Sequence, residues 1–128
     1  MKTEYLDIAG KWNVVVCYDI KPMDEYKMRQ LMMALGVKGE VLEESIDTLM
    51  HLNTGMTITS IKQRMSLVFI GNATGNDQWW DTLAHEIFDH VKVAICDYYG
   101  VSLHGEDSAW LTGFLMRKVV QIIAEPCR

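Results

Sequence analysis

TITSIKQRMSLVFI, Thr57 to Ile70, is the stretch on which the fold class turns. β-Branched and apolar residues crowd its two ends, while Lys62, Gln63 and Arg64 separate them, the composition of a hairpin or looped strand pair. A turn cluster, GNATGND, follows at once, and then a helical run expected from about Gln78 to Tyr99, which Gly100 is suited to end. Upstream, Asn53 to Gly55 supplies a break after a second helical stretch, expected from Glu40 to about His51, in which Leu42, Ile46, Leu49 and Met50 share a face. Earlier still, Pro22 can occupy a first helical turn. Met23, Tyr26, Met28, Leu31, Met32 and Leu35 then recur at roughly helical spacing as far as Gly36. The run WNVVVCYD, Trp12 to Asp19, reads as the first strand, because a short β-branched and aromatic stretch suits the inside of a sheet. A last helix is expected from about Gly105 to Ile123. Strand, helices, hairpin and two closing helices make an α+β fold with a small mixed or antiparallel sheet, and no repeat or linker divides it. A single domain over residues 1–128 is the expectation.

The bulk numbers narrow the function classes. Of 128 residues 49% are hydrophobic, enough for one real core. The longest apolar stretch, around Ser66 to Ile70, is far shorter than the ~20 residues that cross a bilayer, and Met1 to Gly10 lacks a signal-peptide apolar region. Neither membrane insertion nor export is expected. Cys17, Cys96 and Cys127 are odd in number, widely separated and free of any CxxC pair, as befits reduced thiols in a cytoplasmic protein. A net charge of -5, with Lys62/Arg64 and Arg117/Lys118 as the only basic clusters, lacks the electrostatic footprint of a nucleic-acid binder. Oligomeric state is left open, since Met and aromatic side chains suit a core and a dimer contact alike.

One segment concentrates chemistry. TLAHEIFDHV, Thr82 to Val91, places two histidines and two carboxylates within six positions. On a regular helix Ala84, Ile87, Phe88, Val91, Ile95 and Tyr98 form the stripe expected to face the core. His85 and Asp89, four apart, share a neighbouring stripe, and an imidazole with a carboxylate at i and i+4 is a reasonable zinc ligand pair. Glu86 sits beside them. Cys96 lies too far along the helix to join and reads as a core thiol, and Trp79 and Trp80 read as packing residues. Without a metal, Asp89 would pair with Lys92, and Glu106 and Asp107 would complement the macrodipole of the last helix.

His85 and Glu86 in this setting resemble the HExxH helix of the zincin metallopeptidases, in which two histidines hold zinc and the glutamate activates water. The spacing here is HExxxH, with Asp89 where the second histidine of the motif would stand and His90 one place later. In a regular helix His85 and His90 would point roughly 140° apart. Two arrangements stay open: Asp89 replaces the histidine, or one extra residue near Phe88 is absorbed as a π-bulge that realigns His85 with His90. Glu106, 21 positions after His85, and Ala109 resemble the ExxA of the gluzincin glutamate helix, and similar short domains occur in phages and mobile elements. The resemblance implies a zincin-like fold and a zinc-dependent peptidase. Glu86 would be its general base, and zinc would be held by His85, Glu106 and either Asp89 or His90. An extended peptide or protein substrate would lie along the hairpin edge. The alternative is a non-catalytic interaction or assembly protein on the same fold, favoured by the altered motif. In a third reading, the His-Glu pair is accidental.

Overall fold

Two largely apolar strands form the centre of the sheet, because each buries both of its faces. They are β2 (Trp12–Tyr18), in which only Asn13 is exposed, and β4 (Met65–Ile70). They run parallel, with Val16 opposite Val68. Each has an antiparallel partner outside it, β1 (Lys2–Ile8) against β2 and β3 (Gly55–Ser60) against β4, giving a mixed sheet in the order β1-β2-β4-β3. This computed structural model describes residues 1–51, 54–72 and 75–122. Cys127, Asn53 and the expected end of the last helix at Ile123 lie outside the described residues.

Between β2 and β3 the chain crosses the sheet through a 3-10 turn at Pro22–Asp24, α1 (Glu25–Ala34) and α2 (Gly39–His51). After β4 it continues as one long helical run: α3 (Asn76–Ala84), a π-helical stretch over His85–Val91, and α4 (Lys92–Tyr99). Gly100, at φ 68°, closes that run, and α5 (Glu106–Ile122) completes the chain described. The fold is α+β, and among the described residues no helix is long and apolar enough to cross a membrane.

The period of two along β2 and β4 divides the core into two layers. On one face Val14, Val16, Val68 and Ile70 pack with Leu83, Ile87, Val91 and Ile95 of the long helical run and with Leu115 and Val119 of α5. On the other, Val15, Cys17, Leu67 and Phe69 pack with Met28 and Met32 of α1 and Leu42, Ile46 and Leu49 of α2. One polar chain is enclosed in the first layer, where Trp12 Nε1 donates to Ser66 Oγ at 3.1 Å and Thr59 Oγ1 stands 2.9 Å from the same hydroxyl.

Trp12–Asp19 proves to be the second strand, because Lys2–Ile8 precedes it. That segment buries only Leu6 and Ile8, so its apolar pattern is too thin to mark an edge strand beforehand. Its turn into β2 is shaped by Ala9 (φ 52°) and Gly10 (φ 69°), with the Gly10 N–H bonded to Asp7 Oδ1 at 3.1 Å.

Candidate metal centre

Trp79, Leu83, Ile87, Val91 and Ile95 are all buried and spaced by four. On a regular α-helix four such steps would advance about 160° around the axis and carry the last of them off the core. Absorbing one surplus residue takes out about 100°, leaving about 60°, which a single apolar stripe can accommodate. The π-helical stretch His85–Val91 supplies that correction, and it is why the stripe stays on the sheet. Two members of the expected stripe are corrected by it: Ala84 is exposed and Tyr98 is 45% exposed, while Trp79, Leu83 and Cys96 are buried instead.

The same widening brings the functional candidates together. With i→i+5 hydrogen bonding, His90 comes to lie one turn beyond His85, and their rings meet edge to face with centroids 5.1 Å apart. Among the described residues, one group of three metal-capable side chains converges, His85, Glu86 and His90, with a ligand atom from each lying within 4.8 Å of the others. The histidines are exposed and Glu86 is buried. Its carboxylate Oε2 is 3.9 Å from His90 Nε2 and accepts a 2.5 Å hydrogen bond from Thr57 Oγ1 on the edge strand β3. Gly55, also on β3, gives the strand room to approach. A Cβ there would stand 2.7 Å from Thr82 Cγ2, 2.9 Å from Glu86 Cγ and 3.0 Å from Glu86 Oε1.

Asp89 lies outside that group of three. Its Oδ2 is 2.8 Å from His85 Nδ1, an exposed i,i+4 contact that leaves His85 Nε2 as the nitrogen to face a ligand. Glu106 is exposed at the first position of α5 and is not brought to the histidines. The reason is the direction of α5. Its beginning lies beside the end of α4, where Asp107 and Leu111 border one hollow with Cys96 and Tyr99, and its end lies beside α3, where Met116 and Val119 border another with Trp80 and Ala84. Tyr99 follows His85 by fourteen residues, about 20 Å along a helix axis.

Sequence reasoning missed Thr57 and Gly55 as part of this cluster. Their signal lies in alternation: Met56 and Ile58 pack against the α1–α2 layer, so the small and polar Gly55, Thr57 and Thr59 occupy the face of β3 toward the long helix.

Comparison of the chain with family models, with curated proteins and with solved structures gave no match.

Proposed function

We propose that the chain is a small zincin-like metal protein, a zinc-dependent peptidase or a relative that has kept the site without the catalysis. The observation that carries this reading is the π-helical stretch, which turns an HExxxH spacing into two adjacent imidazoles with a buried carboxylate beside them. The donor set fits zinc. Two imidazoles are a common zinc pair, and the ligand atoms of His85 and His90 lie within 4.8 Å of one another, with the Glu86 carboxylate beside them. A carboxylate buried with His90 as its ion-pairing neighbour among the described residues is also a group that a cation would stabilise.

In this reading His85 and His90 hold the metal, and the contact with Asp89 fixes the tautomer and orientation of the His85 ring. Zinc, when bound, polarises a carbonyl and lowers the pKa of water. Glu86 takes the proton from water and later gives it to the leaving amine, as a carboxylate at hydrogen-bonding reach of the reacting centre can. The edge strand β3 receives an extended peptide, since its outer side is unpaired among the described residues in the sheet order β1-β2-β4-β3.

A non-catalytic interaction or assembly role is the second reading, favoured by the distance of Glu106, which leaves the histidines without the third ligand of a gluzincin. Elemental analysis of the purified protein tests the first reading. Near one zinc per chain, lost in His85→Ala and His90→Ala but kept in Glu106→Ala, is the expected result, and zinc-free protein overturns it. Peptidase activity abolished by Glu86→Gln, assayed with enough added zinc to keep the site filled, then separates the enzyme from its non-catalytic relative.

A further inference from the structure

Thr57 and Thr59 sit two apart on β3 and face the same way, yet their hydroxyls are used differently. Thr59 stays within the sheet, against Ser66, whereas Thr57 crosses to the helix and donates to Glu86 Oε2. Glu86 is one of three buried polar or charged residues among those described, and it is pressed on its other side by the backbone of β3 at Gly55. A carboxylate held by one short hydroxyl bond and by a strand that leaves no room for a methyl group has little freedom to rotate. The oxygen that Thr57 engages is also the one nearest His90 Nε2.

We propose that Thr57 is a positioning residue: its hydroxyl fixes the Glu86 carboxylate toward the ion that His85 and His90 hold. This rests on the metal-site reading and deepens it, because it makes the outermost strand of the sheet part of the site. Partners that orient a site carboxylate typically contribute 10–100-fold to metal affinity or activity, although they touch neither metal nor substrate.

Cobalt(II) titration, followed by ligand-field absorption, tests the role on wild type, Thr57→Ser, Thr57→Val, Glu86→Gln and the Thr57→Val/Glu86→Gln pair. Thr57→Val is expected to weaken cobalt binding about 10–100-fold and to shift the absorption band. Thr57→Ser, which keeps the hydroxyl, stays close to wild type. In the Glu86→Gln background the valine substitution adds no further loss, because the carboxylate it acts through is gone. Valine matches threonine in shape, and circular dichroism checks the fold of each variant. Thr57→Ala carries the same comparison should valine disturb folding. Wild-type affinity and spectrum in Thr57→Val, or a loss that persists undiminished in the Glu86→Gln background, overturns the positioning role and leaves the metal site standing. A wild-type chain that takes up no cobalt overturns the metal site itself, and the role of Thr57 with it.

Discussion

Deletion of Phe88 tests whether the π-helical stretch is one surplus residue in an otherwise regular helix. Removing it shortens the segment to HEIDHV, so the steps between Trp79, Leu83, Ile87, Val91 and Ile95 become four, four, three and four residues. On a regular α-helix these steps advance about 60°, the span that the π-helical stretch now achieves by widening. The buried stripe is therefore kept, and His85 and His90 become i,i+4 neighbours, about 5–6 Å apart at Cβ. The loss is the half-buried Phe88 side chain. Full Phe→Ala removal costs about 3–5 kcal/mol, so half of that, about 2 kcal/mol, is the expected penalty, or about 8 °C in Tm at this chain length. Deletion of Gly113 is the control. It removes no side chain and lies in open space, but it rotates Leu115 and Val119 about 100° out of the core. Exposing two such side chains costs about 3–6 kcal/mol, comparable with the whole stability of many domains. Thermal unfolding by circular dichroism ranks the two deletions, and zinc analysis reads the site in whichever folds. A Phe88 deletion that unfolds the chain while the Gly113 deletion is tolerated would refute the surplus-residue account.

Three further outcomes follow from the packing. Gly55→Ala meets no backbone obstacle, since Gly55 is outside the left-handed region, but its Cβ at 2.7 Å from Thr82 Cγ2 and 2.9 Å from Glu86 Cγ should cost about 1–3 kcal/mol in urea unfolding. Adding Thr82→Ser should recover part of that loss, and unchanged stability of Gly55→Ala alone would contradict the close approach of β3. Ser66→Ala strips both Trp12 Nε1 and Thr59 of their buried partner, for an expected loss of about 1–3 kcal/mol, with Trp12 fluorescence as the local reporter. The Cys17 thiol is pushed up to about 11 by burial, so the folded state keeps its proton after the unfolded state, near 9.0, has lost it. Stability should fall as pH rises from about 9 to about 11, and at pH 8 peptide mapping after iodoacetamide should find Cys17 unmodified until urea unfolds the chain. Rapid alkylation of Cys17 in the native protein would contradict its burial.

The class of the fold was legible because its central elements are the most apolar ones. WNVVVCY and MSLVFI bury both faces, so continuous runs marked them, and the α1, α2 and α5 patterns bury one stripe each and marked themselves by period. The edge strand Lys2–Ile8 was illegible for the converse reason, since a strand that buries two of seven side chains carries little hydrophobic signal. The site was half legible. His85, Glu86, Asp89 and His90 stood out as a cluster, and the HExxxH spacing offered a π-bulge as one of two arrangements, but that spacing alone does not decide between the bulge and a regular helix. Its trace in the sequence is longer in range: five apolar residues in unbroken steps of four, Trp79 to Ile95, cannot all face one core on an ideal helix. Thr57, Gly55 and the misplacement of Glu106 lay further out of reach, because they depend on how β3 and α5 pack on the helix from elsewhere in the chain. The facing histidines follow from the same stripe that builds the core, so losing their alignment would mean breaking the fold. The carboxylate beside them is held by an edge strand, where a change at Thr57 or Gly55 can alter the site while the core persists. A change in the chemistry of the site that leaves the core intact would therefore fall on β3, not on the helix.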